Sequence, residues 1–80
     1  MDIGEAIAAM REGKRVSREG WNGKGMYLYL VEAGEDYVDI GEEIAVRVLP
    51  YVMMKTAQDQ LVPWLCSQTD LLANDWGVVG

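Results

Sequence analysis

Residues 26–31, Met-Tyr-Leu-Tyr-Leu-Val, are the segment that most restricts how this chain can fold. Side chains of an extended strand alternate between two faces, so the methionine and both leucines share one face while the two tyrosines and the valine share the other. Both faces are apolar or aromatic, and both therefore need a cover. One can pack under a helix; the other requires a ligand, a second subunit or more chain. A subunit interface is the simplest interpretation, and a tyrosine that completes a stacking site is the more specific one.

The chain has few internal means of stabilising a fold around such a strand. Its 80 residues predict one domain, 1–80, that buries only a modest fraction of its surface. Cys66 is the single cysteine and histidine is absent, so the sequence offers no disulfide, no zinc-finger spacing and no Ser-His or Cys-His nucleophile pair. Self-association is then the remaining route to a larger core. One free cysteine suits a reduced cytoplasm.

Charge is distributed unevenly along the chain. The net charge is −6, which opposes binding to long nucleic acids and to anionic membrane surfaces. Five of the seven cations lie between positions 11 and 24, whereas residues 32–43 carry six carboxylates and no cation. Because salt confines local fields to about 8 Å, the basic stretch can still attract a small anion. The chain starts without a basic leader and has no apolar window near 20 residues, so neither export nor a membrane span is expected.

Periodicity and capping patterns predict an α+β domain: a small, mostly antiparallel β-sheet with an N-terminal helix and a short C-terminal helix. Asp2 and Glu5 form a capping-box pattern, and Ser67 is predicted to cap a second helix that buries Leu71 and Leu72. The first helix is predicted over 3–12, with a buried face formed by Ile3, Ala6, Ile7 and Met10. Strands are predicted over 14–18, 26–31, 37–40, 44–49, 51–56, 61–64 and 76–79, with a turn at Gly34-Glu35-Asp36.

Residues 17–25, Ser-Arg-Glu-Gly-Trp-Asn-Gly-Lys-Gly, have the composition of a binding loop. Three glycines permit backbone N–H groups to turn inward as an anion site, to which Lys24 and Arg18 can add charge. Trp21 offers a surface on which a purine can stack, and Asn22 can both donate to and accept from a base or sugar edge. The alternative is structural: Asn22-Gly23 is a strong hairpin-turn signal, and Trp21 can cover the edge of the core.

Other polar segments have simpler explanations. The N-terminus of the second helix, Ser67-Gln68-Thr69-Asp70, can attract an anion, although capping alone accounts for the serine and the aspartate. The acidic residues of 32–49 are typical of a solvated face that protects solubility. Their spacing matches no calcium-binding loop, so neither a metal nor a cofactor is predicted.

Two blocks together carry a family resemblance. The first block is Arg18-Glu19-Gly20-Trp21-Asn22-Gly23-Lys24-Gly25-Met26. The second block has two parts. One is Pro50-Tyr51-Val52-Met53-Met54-Lys55-Thr56, and the other is residues 61–76, which contain Leu61-Val62-Pro63-Trp64, Ser67-Gln68-Thr69-Asp70 and Asn74-Asp75-Trp76. They resemble the phage and prophage family of Thoeris anti-defence sponge proteins, second type. This resemblance implies a non-enzymatic protein that sequesters the cyclic ADP-ribose isomers made by TIR-domain enzymes in the bacterial host cytoplasm. It also implies homo-oligomers, typically tetramers, with pockets at subunit boundaries, and in some members binding of cyclic dinucleotides.

Carried onto this sequence, the resemblance gives a set of candidate ligand-binding residues. Trp21 is expected to stack on adenine, Asn22 to read a base or ribose edge, and Lys24 to meet the diphosphate together with the Gly23 and Gly25 amides. The remaining members are Gln68, Thr69 and Asp70 facing ribose hydroxyls, Trp64 as a second wall of the site and Arg18 as a further cation. Trp64 and Trp76 have the alternative of lying in the core.

Two other functions compete with sequestration. The acidic surface of Glu32 to Glu43 can be presented to a basic host protein, which makes the chain an interaction inhibitor. A hydrolase acting on the same nucleotides requires a base and commonly a metal or nucleophile, and the absence of histidine disfavours it.

Overall fold

The computed structural model describes residues 1–32, 34–39 and 43–80, with the backbone alone over 34–39 and 43–47. The helices are α1 (Ile3–Arg11) and α2 (Gln68–Leu71). The strands are β1 (Arg15–Arg18), β2 (Tyr27–Val31), β3 (Gly34–Asp39), β4 (Glu43–Val48), β5 (Tyr51–Lys55), β6 (Leu61–Pro63) and β7 (Trp76–Val79). The predicted α+β class is confirmed. Neither helix in the described ranges is long and apolar enough to cross a bilayer.

The strands form two antiparallel sheets. The larger has the order β6-β5-β2-β1-β7, and β3 pairs with β4 as a separate hairpin. Strand β2, which is apolar on both faces, lies in the centre of the larger sheet, between β1 and β5. Pro63 lies on the edge strand β6, so its lack of a backbone N–H does not interrupt the hydrogen bonds between the inner strands of the sheet.

Helix α1 begins with the predicted capping box. The Asp2 carboxylate accepts from the Glu5 backbone N–H at 2.8 Å, and the Glu5 side chain accepts from the Asp2 N–H at 3.1 Å. The buried helix face consists of Ala6, Ala9 and Met10. The expectation that Ile7 shares this face is wrong: Ile7 is 38% exposed. It lies beside a groove of about 400 Å³ between α1 and β5, so the helix does not close over the sheet on that side.

The core lies between α1 and one face of the large sheet. Its largest fully buried side chains are Met10, Val16 and Leu28, with Trp76 at 3% exposure. Tyr27, Tyr29, Val31 and Met53 lie on the opposite face of the sheet, because their positions alternate with those of the core residues. Helix α1 covers one face of β2. On the other face Tyr27, Tyr29 and Val31 are half-buried, and the Arg15 and Lys55 side chains lie over the Tyr27 ring.

Two local expectations are wrong. Gly34-Glu35-Asp36 is strand rather than turn, because its backbone continues the β3–β4 ladder opposite Val48, Arg47 and Val46. Leu71 and Leu72 are 42% and 79% exposed, because α2 has only four residues and Ala73 is the residue that packs against the core there. Residues 40–42, part of the predicted acidic face, lie outside the described residues.

Candidate functional site

Three tryptophans from distant parts of the chain meet at one end of the sheet. Trp76 lies at the centre of this tryptophan cluster: its ring centroid is 5.4 Å from that of Trp21 and 5.9 Å from that of Trp64. Both pairs are edge-to-face, at 80° and 85°, the arrangement that aromatic quadrupoles favour. Trp76 is buried, whereas Trp21 and Trp64 are only partly buried and pack against the core from outside. The indoles of Trp21 and Trp64 therefore remain partly accessible while packing against the buried Trp76 ring.

The Trp21 ring is also held by a hydrogen bond. Its Nε1–H donates to the Asp70 carboxylate at 3.2 Å, and the Trp76 Nε1–H donates to the Asp70 carbonyl at 3.1 Å. Asp70 belongs to α2, where the Ser67 hydroxyl caps its backbone N–H at 3.1 Å. The predicted capping of α2 by Ser67 is confirmed. The Asp70 side chain reaches across to the β1–β2 loop (residues 19–26).

Arg18 lies between two carboxylates, an arrangement named here the arginine clamp (Arg18, Asp70 and Asp75). Its Nη1 donates to Asp70 at 2.8 Å and its Nε to Asp75 at 2.8 Å. Asp75 also accepts from the Gly20 backbone N–H at 2.8 Å, while its own carbonyl accepts from the Glu19 N–H at 3.1 Å. The clamp therefore fastens the start of the β1–β2 loop to the segment that follows α2.

The electrostatics of the clamp keep it ionised. The Arg18 hydrogen bond holds the pKa of Asp75 below its usual range, against a smaller opposing effect of desolvation. For Asp70, desolvation acts to raise the pKa, but the hydrogen bonds from Arg18 and Trp21 outweigh it and the net shift is downward. The pKa of Arg18 is raised, chiefly by its hydrogen bond to Asp75. All three groups are charged at neutral pH.

The second half of the β1–β2 loop is shaped by its glycines. A Cβ at Gly23 would collide with the Met26 side chain and lie 3.0 Å from that of Ala57. Gly25 has φ +76°, the left-handed region that favours glycine. Its carbonyl accepts from the Lys55 Nζ at 2.9 Å, and Lys55 also pairs with Asp59 at 2.6 Å. The loop is thus tied to β5 as well as to α2.

The structure brings together only some of the sequence-predicted site residues. Trp21, Arg18 and Asp70 are in direct contact, and Trp64 joins them through Trp76. Other candidates, Asn22, Lys24, Gly25, Gln68 and Thr69, are exposed on the two flanking segments, with Gly23 half-buried. The Thr69 hydroxyl lies 3.0 Å from that of Ser67. Trp21 does not line either the groove of about 400 Å³ beside α1 or a second cavity of about 280 Å³ beside Tyr27 and Tyr29.

Sequence reasoning missed two residues of this site. Asp75 and Lys55 both belong to the blocks that carry the family resemblance, but neither is among the candidate ligand-binding residues. Their partners, Arg18 and Gly25, lie 57 and 30 positions away in the chain. No local pattern signals such pairings; the one available hint was the position of Asp75 directly before a tryptophan.

The fold and this site define a small antiparallel α+β protein whose glycine-rich aromatic loop is anchored to a short C-terminal helix. The family described as the Thoeris anti-defense 2-like domain matches residues 1–79. The protein named Thoeris anti-defense 2, from Bacillus phage SP01, is 39% identical over 84 residues, which cover 99% of this chain and 94% of that relative. The chain therefore belongs to the Thoeris anti-defense 2 family, as the two sequence blocks predicted, and its role is to oppose Thoeris defence.

Proposed function

We propose that this protein opposes Thoeris defence by binding and sequestering a cyclic ADP-ribose isomer without degrading it, in the cytoplasm of the bacterial host. The observation that carries the proposal is the Trp21–Asp70 hydrogen bond, which joins the two blocks of the family resemblance at one place. Around that bond lie a partly exposed indole, glycine amides and exposed polar side chains. These are the groups that an adenine, a diphosphate and two riboses require.

In the proposed complex, adenine stacks on the exposed part of Trp21. Asn22 contacts a base or ribose edge, and Lys24 meets the diphosphate with the Gly23 and Gly25 amides. Lys24 suits this role because it is exposed and has no carboxylate partner among the described side chains. Gln68 and Thr69 face the ribose hydroxyls, and Trp64 forms the second wall. Cyclic dinucleotides share the same stacking and phosphate groups and are candidate additional ligands.

A sponge has to retain its ligand against a receptor, and nanomolar affinity corresponds to about 12 kcal/mol. One stacked base contributes roughly 1–3 kcal/mol, so the ligand needs an enclosed pocket with several contacts. Part of the Trp21 indole is exposed on the described protomer, and we propose that a second copy supplies the enclosure.

The open face of the large sheet is the surface proposed for self-association. Tyr29 lies opposite Met53 and Val31 opposite Tyr51, which makes a continuous apolar and aromatic surface across β2 and β5. Leu61 on β6 lies on the same face, opposite Lys55, and is 59% exposed. Burial of this surface against a second copy gives the small chain a larger core, and we propose a tetramer built from such dimers.

Incubation with the cyclic nucleotide tests this function against its competitors. The purified protein is incubated with cyclic ADP-ribose isomers, desalted and heated, and the released small molecule is identified by mass spectrometry. Recovery of intact ligand is the expected result. Recovery of an altered nucleotide would indicate an enzyme, and no uptake together with a stable complex with a host protein would indicate the acidic interaction inhibitor.

A further inference from the structure

The two carboxylates of the arginine clamp each hold Arg18 and one group of the β1–β2 loop. Asp70 accepts from Arg18 at 2.8 Å and from the Trp21 indole at 3.2 Å. Asp75 accepts from Arg18 at 2.8 Å and from the Gly20 amide at 2.8 Å. The Arg18 side chain is 19% exposed. Gly20 and Trp21 are neighbours in the loop, and each is bonded to a carboxylate that the Arg18 guanidinium holds.

We propose that Arg18 is a positioning residue: with Asp70 and Asp75 it sets the orientation of the Trp21 ring before ligand arrives, and it does not itself contact the ligand's phosphates. This inference rests on the proposed function of Trp21 as the stacking surface. It changes the expected role of Arg18 from a ligand-binding cation to a support for the indole.

The local charge favours this role over phosphate binding. One guanidinium faces two ionised carboxylates, so the clamp carries a net charge of −1, which repels a diphosphate. A planar guanidinium can also donate to two carboxylates in different directions at once, which a lysine ammonium does with less geometric definition. An arginine at this position is therefore well suited to hold the two carboxylates in fixed positions.

Removal of Arg18 would release the loop at both attachment points. Asp70 and Asp75 would then be unpaired like charges, and each would be free to turn toward solvent. The Trp21 ring would keep its edge-to-face contact with Trp76 and its packing against the core, but it would lose the fixed acceptor of its N–H. A ring that samples several orientations has to be ordered when ligand binds, which weakens retention.

The first test needs no ligand. Hydrogen exchange of the Trp21 indole N–H is followed by NMR in the wild-type protein and in Arg18→Gln, with the resonance assigned by its absence in Trp21→Phe. We expect exchange to be at least about tenfold faster in Arg18→Gln, because the acceptor of this N–H is no longer held. Arg11→Gln removes the same charge from the exposed end of α1 and should leave the indole exchange unchanged.

The second test separates support from direct contact. Dissociation of the cyclic ADP-ribose isomer is measured for Arg18→Gln in the wild-type background and in a Trp21→Phe background, where the ring has no N–H for Asp70 to hold. We expect Arg18→Gln to speed dissociation about tenfold with Trp21 present and less than about twofold with Phe present. An equal change in both backgrounds would mean that Arg18 contacts the ligand, and would overturn the proposal.

Further variants keep both tests decisive. If Arg18→Gln does not fold, Asp75→Asn removes the charge of one carboxylate while retaining an oxygen that can accept from Gly20, and the same two measurements apply. Arg18→Lys should restore part of the exchange protection.

Unchanged indole exchange in a folded Arg18→Gln or Asp75→Asn variant would overturn the proposal whatever the ligand data show. A wild-type protein that takes up no ligand would end the proposed function, while the exchange experiment would still decide the role of Arg18.

Discussion

One oxygen of Asp70 connects two parts of the site that are remote in sequence. It accepts from Arg18 and from Trp21, 52 and 49 positions earlier in the chain. The consequence is that Trp21 has a defined place although it belongs to a loop rather than to a strand or helix. Its remaining exposed surface is what the proposed stacking uses.

The first residue-scale prediction concerns the indole itself. Replacement of Trp21 by Ala removes the stacking surface, and we expect affinity for the cyclic ADP-ribose isomer to fall by about 10- to 100-fold, enough to lose ligand during desalting. Trp21→Phe retains an aromatic face and should keep most of the stacking. Calorimetric titration measures both affinities, and circular dichroism confirms that each variant is folded. Wild-type affinity in a folded Trp21→Ala protein would remove Trp21 from the site.

The second residue-scale prediction concerns acid. The folded-state pKa values of Asp70 and Asp75 lie below the ordinary value of about 3.9. The unfolded chain consequently binds more protons than the folded one in that range, so the clamp contributes its full stability above about pH 4 and loses it as pH falls through the folded pKa values.

Thermal melts between pH 5 and pH 2.5 check this sign. The melting temperature of the wild-type protein should fall over this interval, and that of an Asp70→Asn, Asp75→Asn double variant should fall less. Other carboxylates titrate in both proteins, so the informative quantity is the difference between the two curves. Parallel curves would mean that the clamp makes no pH-dependent contribution.

At the scale of elements, local signals decided what the sequence could predict. The capping box at Asp2 and the N-cap at Ser67 satisfy helix ends within a few residues, and both lie where the sequence pattern predicts them. The turn predicted at residues 34–36 was wrong because pairing with β4 overrides turn composition. The Arg18–Asp75 contact was not predictable, because it depends on β1 and β7 lying side by side, which no single segment encodes.

The element-scale prediction tests the shape of the β1–β2 loop. Gly25 has φ +76°, so Gly25→Ala places a side chain in a strained backbone region at a cost of roughly 1 kcal/mol. We expect the melting temperature to fall by about 4–8 °C. Gly77→Ala is the matched control: a Cβ there meets nothing within 4 Å and the backbone is not left-handed, so its melting temperature should be unchanged or slightly raised. Equal effects of the two substitutions would show that the loop does not require the left-handed glycine.

At the scale of the whole molecule, the central strand β2 links stability to assembly. Its core face was predicted from alternation and is confirmed by the complete burial of Leu28. The identity of the cover on its tyrosine face was left open by the sequence, because alternation shows that a face is apolar but not what it contacts. The proposed answer, a second copy of the chain, also supplies the enclosure that the Trp21 site needs.

Native mass spectrometry tests this link most directly, since it reports assembly size and ligand occupancy in one spectrum. The wild-type protein should be a tetramer, and addition of a cyclic ADP-ribose isomer should add whole ligand masses to it. Tyr29→Asp places a charge on the open sheet face and should yield protomers without bound ligand, whereas Leu65→Asp, at an 89% exposed residue outside that face, should leave both readings unchanged. A wild-type protomer that binds ligand alone, or a tetramer that takes up none, would contradict the proposal that self-association builds the nucleotide site.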